Sequence, residues 1–237
     1  KLEQAADNAD GKPIAGIEFR SPVANPTKII GVPQNYEEHA QETLVDAGIS
    51  HGMPRRKMED QGLFLKANSA LIGPSDGVAV RFSDRRTDHE AELGVVIGRT
   101  GSDISYDDAL SYVAGYAIAM DMVVRGKEDR SFRKSVDSYA VLGPWLVTAD
   151  EIFDPGQLNF VLTIDNEVRQ KNNTRNLILD LQGQIAWASK FYTLHPGDII
   201  MSGTCAGVGP VKPGDVMHLE FENIGAMDVP VRAHDAY

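Results

Sequence analysis

His89-Glu90-Ala91-Glu92-Leu93-Gly94-Val95-Val96-Ile97-Gly98 opens on two carboxylates and continues as an apolar strand. Side chains alternate between the two faces of a strand. Glu90 and Glu92 therefore point the same way, while Ala91, Leu93, Val95 and Ile97 form a clean apolar set on the opposite face. Two neighbouring carboxylates repel each other unless a cation stands between them. A hard divalent ion is one physical answer, because Mg2+ and its relatives prefer oxygen ligands. A solvated strand face is the other, and the motif alone leaves both open.

The surroundings of this strand decide the fold class. Residues 28–32 read as a short strand ended by Pro33. Asn35 precedes a helix over 36–45, with Glu38 at capping-box spacing and Gly48 as the stop. His39 and Glu42 then lie one turn apart on one helix face. Residues 63–66 and 78–82 are strand-like around a turn at Gly73-Pro74-Ser75-Asp76-Gly77, and Ser105 can cap a helix through 107–112. Residues 113–120 read as a buried strand ending at Asp121. A charged loop follows over 122–135, with Arg125, Lys127, Glu128, Asp129, Arg130, Arg133 and Lys134, and Pro144 begins the next apolar segment. Asp165-Asn166 between two alternating runs signals a hairpin. Residues 181–192 have helical periodicity. Strands return around 199–201 and 216–221 and, after a turn at Ile224-Gly225, at 229–231. Strands outnumber helices and no regular βαβ alternation occurs, so the expected class is α+β with mixed sheets and few helices.

Composition narrows the partners. The chain has 237 residues, enough for a core without disulfide support, and a formal net charge of −11 from 34 acidic and 23 basic residues. No Lys/Arg run is longer than that at Arg55-Arg56-Lys57. Nucleic acid and anionic membranes are therefore excluded as partners. An anionic small molecule would need a local positive site. The single cysteine, Cys205, forms no intrachain disulfide and reads as a small buried residue. No apolar stretch reaches transmembrane length and no secretory n-region is visible, so the expected location is cytoplasmic.

Four groups could carry chemistry. Glu90 and Glu92 need a third oxygen donor to hold an ion, and Asp121, at the end of an apolar strand, is the best candidate. Three such carboxylates would suit Mg2+ or Mn2+. Glu42 can orient the His39 imidazole as a general base, or the pair can simply be an exposed helix face. Lys134 and Arg125 could hold an anionic substrate or a developing enolate, or belong to a solvated loop. In Ser202-Gly203-Thr204-Cys205-Ala206-Gly207-Val208-Gly209, backbone N–H groups can grip a carboxylate. The ending of a phosphate-binding P-loop is missing.

Together these groups resemble the fumarylacetoacetate hydrolase family from about Ile29 to Val231. The matching residues are Asn35-Tyr36 with His39 and Glu42, His89-Glu90 with Glu92-Leu93, Asp121, Lys134-Ser135 with Asp137, and Leu142-Gly143-Pro144. Asn166-Glu167 with Arg169-Gln170 and Asn173-Thr174 follow, then Leu194, Pro196-Gly197-Asp198, Ile200 and Gly203-Thr204. Their order and spacing carry the resemblance. It implies a mixed β-sheet roll of the family's C-terminal-domain type. Residues 1–28, with Pro13, Pro22 and Pro26, would be an N-terminal arm or small appended element, and 29–237 a single catalytic domain. It implies Glu90, Glu92 and Asp121 as metal ligands, His39, Glu42 and Lys134 as catalytic groups, and Arg125, Gly203 and Thr204 at the substrate. The implied reaction is metal-dependent hydrolysis of a C–C bond in a β-diketo or acylpyruvate-type 2-oxo acid, by a homodimer. Decarboxylation or tautomerisation of a 2-oxo dicarboxylic acid needs the same enolate stabilisation. A non-catalytic, metal-stabilised binding protein is the alternative of another class. The stretch after Asp121 departs from the family pattern, reading Val123-Val124-Arg125-Gly126 and reaching Lys134 early. That region is a lid in the family, so the resemblance does not carry the substrate.

Overall fold

The computed structural model describes residues 13–234 apart from 15, 53 and 55. Strands β1 (Ile29–Gly31), β2 (Phe64–Lys66), β3 (Leu71–Ile72), β4 (Val78–Val80), β5 (Thr87–His89), β6 (Ala91–Ile97), β7 (Val113–Asp121) and β8 (Val123–Val124) occupy the first half. The second half holds β9 (Ala140–Thr148), β10 (Asn159–Ile164), β11 (Glu167–Asn173), β12 (Ile199–Met201), β13 (Gly209–Pro210), β14 (Val216–Phe221) and β15 (Gly225–Ala233). The helices are α1 (Glu37–Val45), α2 (Ala47–Ser50), α3 (Met58–Gln61), α4 (Arg130–Lys134) and α5 (Leu181–Phe191). The main sheet has the order β2-β1-β12-β6-β7-β9-β3, a second sheet β11-β10-β14-β15-β4, and a small third one β13-β5-β8. Parallel pairs β1/β12 and β3/β9 sit among antiparallel ones, so the sheet is mixed, as the lack of βαβ alternation predicts.

β6 and β7 are buried along both faces because layers cover the main sheet on each side. Ala91, Leu93, Val95 and Ile97 enter the large core with Ile118 and Met120. On the other face Val96 packs with Ala117, Ala119, Leu142 and Met201. That second face also carries Glu92.

The run beginning at His89 is not one continuous strand. It breaks at Glu90, with β5 joining the small sheet and β6 the main one. Its partner breaks at the same level, between β7 and β8. Ala91 pairs with Met120, and the Asp121 N–H donates to the Glu90 carbonyl at 2.9 Å. Glu90 and Asp121 thus stand opposite each other where both strands step from one sheet to the other.

Three local expectations change. The N-cap of α1 is Tyr36, without a side-chain cap bond. Asn35 is instead buried, and its side chain donates to the carbonyls of Leu179 and Ser202 at 2.9 and 2.8 Å and accepts from the Leu179 N–H. Three hydrogen bonds to two distant segments outcompete a local cap for this amide. Gly48 does not stop the helix: Asp46 ends α1 and caps α2 by accepting from the Gly48 N–H. The 122–135 stretch is ordered by β8 and α4, and Arg125, Arg133 and Lys134 are buried. The hairpin is as expected, with left-handed Asp165 (φ 53°) and Asn166 (φ 63°) at its tip. In the described part of the expected arm, Phe19 packs edge-on against Trp145 and exchanges hydrogen bonds with Ser75.

Asp198 joins β1 to β12. Its carboxylate accepts from Thr27 Oγ1 at 2.6 Å, Lys28 N at 3.0 Å, Lys28 Nζ at 2.6 Å and His195 N at 2.7 Å. Burial alone would raise this carboxyl, but those hydrogen bonds outweigh it and hold it below its ordinary value. The ionised group therefore stabilises the fold fully above the unfolded-state pKa of ~4, and less as pH falls through the lower folded-state value. Asp198→Ala is expected to cost about 3 kcal/mol at pH 7, since it strands a paired Lys28 and several donors. Urea titrations should show that difference shrinking below pH ~4. A deficit unchanged by acid would contradict the assignment.

Candidate active site

The step between sheets gathers the acidic groups. One carboxylate oxygen from each of Glu90, Glu92 and Asp121 lies within 4.8 Å of the others, and all three residues are buried. Their convergence follows from register: Glu90 faces Asp121, and Glu92 pairs with Ala119 on the same face. Cations surround two of the three. Lys134 Nζ reaches Glu90 Oε2 at 2.6 Å and Asp121 Oδ2 at 2.5 Å. Lys66 Nζ reaches Asp121 Oδ1 at 2.5 Å, and Arg125 Nη2 reaches Glu90 Oε1 at 3.1 Å.

Glu92 differs. It accepts from the Gly203 N–H at 2.8 Å, and among the described residues no cationic side chain pairs with it. Burial, then the neighbouring Asp121 and Glu90 charges, push its carboxyl well up. Burial also acts on Glu90, but Lys134, Arg125 and His39 overcome it and hold that carboxyl well down. Hard oxygen donors, one of them without a counter-charge, fit a hard divalent cation.

His39 and Glu42 form the second group. Their helix α1 buries His39, and Nδ1 lies 2.8 Å from Glu42 Oε2. Glu42 Oε1 accepts from the Gly207 N–H at 2.9 Å. The glycine-rich turn thus grips carboxylates through its backbone, as its composition suggests, but both are the chain's own: Glu92 at Gly203 and Glu42 at Gly207. Positive φ at both positions (102° and 95°) allows this, and a Cβ on Gly207 would lie 1.9 Å from the Arg169 carbonyl oxygen. His39, Thr204, Arg125, Lys134 and the three carboxylates line one cavity of about 560 Å3.

Thr204 is buried and donates to the Ala91 carbonyl at 2.9 Å while accepting from Gln170. Arg125 is held by Asp88, whose other oxygen accepts from Arg86 at 2.6 Å, and Arg86 also pairs with Asp46. Cys205 is buried and its thiol is pushed up to about 12, which leaves it inert at neutral pH, as read from the sequence. Sequence reasoning misses Lys66 and Asp88, and it reads Asn35 as a helix cap where the structure uses it to hold Leu179 and Ser202. Lys66 ends a short apolar run with nothing local to mark it as buried. Its alternation gives the only hint: Phe64 and Lys66 face inward and Leu65 outward.

Comparison with known proteins shows the family and the fold. The profile of the fumarylacetoacetate (FAA) hydrolase C-terminal family matches residues 28–232. The maleylpyruvate hydrolase of Aquipseudomonas alcaligenes is 52% identical over 235 residues, covering 98% of this chain and 82% of that protein. A mitochondrial oxaloacetate tautomerase of Xenopus laevis is 36% identical over 230 residues, 92% of this chain and 69% of its own. The crystal structure of maleylpyruvate hydrolase from Sphingobium sp. SYK-6 in complex with manganese(II) ion and pyruvate superposes with a TM-score of 0.85 at 41% identity. It covers 99% of this chain and 81% of that one.

An ion bound among the carboxylates should stabilise the fold by mass action. At Mn2+ about 100-fold above its Kd, the unfolding free energy should rise by ~2.7 kcal/mol relative to EDTA-treated protein. Glu92→Gln would replace one candidate ligand and relieve its repulsion with Asp121 and Glu90. It should raise the melting temperature of the EDTA-treated protein by a few degrees and abolish the Mn2+ increment. A Glu92→Gln protein that keeps the increment would remove Glu92 from the ligand set.

Proposed function

This chain belongs to the fumarylacetoacetate hydrolase family, and from that premise we propose that it is a divalent-metal-dependent hydrolase cleaving the C–C bond of an acylpyruvate. The observation that carries the reading is one cavity in which a cluster of three carboxylates faces a braced His–Glu pair. A binding protein needs the first but has no use for the second. The similarity to maleylpyruvate hydrolases supports an acylpyruvate of the maleyl type.

Glu90, Glu92 and Asp121 would hold Mg2+ or Mn2+. When bound, the ion supplies Lewis acidity to the 2-oxo acid end of the substrate. Arg125, fixed by Asp88 and already touching Glu90, presents its planar guanidinium to that end. His39 directs Nδ1 at Glu42, which leaves Nε2 to take a proton from water. The Gly207 N–H holds the other Glu42 oxygen, so the carboxylate orients the ring and stabilises its protonated form. Water then adds to the acyl carbonyl, the C–C bond breaks, and its electron pair becomes the enolate of pyruvate. Lys134 holds its ammonium where that charge develops. The proton on His39 Nε2 returns to the enolate carbon, and a carboxylic acid and pyruvate leave.

By the same resemblance, the protein would work as a homodimer in the cytoplasm. No helix among the described residues is long and apolar enough to cross a membrane. Light scattering of the purified chain tests the dimer.

With Mn2+ or Mg2+, the native protein should cleave acylpyruvates in a panel of 2-oxo and β-diketo acids, and EDTA should abolish this. His39→Ala should lower kcat by about 10^2- to 10^4-fold with little change in KM. Proton exchange or decarboxylation on oxaloacetate that survives His39→Ala, with no acylpyruvate cleaved by the native protein, would replace hydrolysis by the tautomerase or decarboxylase reading.

A further inference from the structure

The cations of the 122–135 stretch have separate fates. Arg125 pairs with Asp88 and Glu90. Lys134 is taken by Glu90 and Asp121. Arg133 is buried and donates to the carbonyls of Glu128 and Val124. Arg130 shares a face of α4 with Arg133 and Lys134, by the spacing i, i+3 and i+4, and it lines the same cavity. Among the described residues no carboxylate pairs with it. The nearby acids have other partners: Glu128 pairs with Arg85, and Asp129 accepts from the Ser131 N–H.

Arg130 is nevertheless held in place. Its Nη2 donates to Gln61 Oε1 at 2.6 Å, and its guanidinium lies over the Phe64 ring, 5.5 Å from the centroid. Gln61 is oriented in turn by donating to Gln34 Oε1 at 2.8 Å, and Gln34 donates to Thr43 Oγ1 at 3.0 Å. Thr43 sits one turn beyond His39 on α1, so this relay ties Arg130 to the helix that carries the base. The Lys134 ammonium lies 5.3 Å from the same Phe64 centroid. The two charges are therefore closer together than those two radii laid end to end. One marks the carboxylate cluster. The other is a half-buried guanidinium whose remaining N–H donors meet no side-chain or backbone acceptor among the described residues.

We infer that Arg130, positioned by Gln61 and Phe64, is the receptor for a second carboxylate at the far end of the substrate and makes the enzyme selective for dicarboxylic acylpyruvates. This deepens the hydrolase reading and rests on it for the word substrate. A planar guanidinium fork matches a carboxylate, and a half-buried one gains more from the pairing than an exposed one. A chain of net charge −11 repels dianions overall, so selectivity for them needs a fixed local cation of this kind.

The test uses two inert acids of equal length, 2-oxoheptanedioate and 2-oxoheptanoate, titrated calorimetrically into the Mn2+-loaded protein. The native protein should bind the dioate ~10- to 100-fold more tightly. Arg130→Met should erase that preference and leave the monoacid affinity within about twofold, with the Mn2+ stabilisation unchanged. Arg130→Lys, which keeps the charge without the fork, should retain a reduced preference. If Arg130→Met fails to fold, the Lys variant decides through the same ratio. Equal binding of the two acids by the native protein, equal losses for both acids, or an undiminished preference in the variants would overturn the inference. Turnover separates it from the functional reading. A dioate preference lost in Arg130→Met with no acylpyruvate cleaved overturns only hydrolysis. Cleavage of acetylpyruvate with no dioate preference overturns only the role of Arg130.

Discussion

Two hydrogen-bonded strands that leave one sheet for another at the same level create the constraint on which the site depends. At that step Glu90 and Asp121 face each other and Glu92 follows on the same face, all three buried at the wall of the cavity. Buried carboxylates so close cannot all stay ionised without counter-charge. Much of the surrounding structure answers that demand. Lys66 comes from the edge strand β2, Lys134 from α4 and Arg125 from just beyond β8, three segments drawn to one charge cluster. Removing a partner would leave a buried charge exposed to a low dielectric, so the cluster also organises the wall of the cavity. Arg125 needs its own counter-ion, and Asp88 in β5 provides it, with Arg86 and Asp46 extending the network to the base of α2.

The glycine-rich turn after β12 plays a complementary part. It offers N–H groups to a carboxylate from each half of the site, Glu92 in the acidic cluster and Glu42 beside His39. One short segment therefore sets the separation between the two functional groups. Asn35 holds the start of that turn through the Ser202 carbonyl, and Asp198 holds β12, which leads into it. Motif residues that look chemical in the sequence thus divide into those that face the cavity and those that fix the loops carrying them.

Reading the sequence succeeds where local geometry and the final environment agree. Glu90 and Glu92 alternate correctly, and the spacing of His39 and Glu42 brings their side chains within 2.8 Å. It fails where a tertiary partner outcompetes a local one. Asn35 looks like a helix cap and is used instead by Leu179 and Ser202. Gly48 looks like a stop and is bound by Asp46 as part of the next turn. The charged stretch after Asp121 stays open between a solvated loop and an anion site, because composition cannot distinguish a cation in water from one neutralised by carboxylates distant in sequence.

The sequence by itself determined the α+β class, the pairing of Glu90 with Glu92, the His–Glu pair and, through motif order, the family. Those features depend on short-range periodicity and spacing, which the chain carries wherever it folds. Only the tertiary structure decided which charges meet. Lys66 and Asp121, Asp88 and Arg125, and the guanidinium of Arg130 over Phe64 are set by strand register and by the placement of α4 against β2. Electrostatic pairing acts through space across tens of residues, and no local pattern in the chain encodes which opposite charge will be nearest.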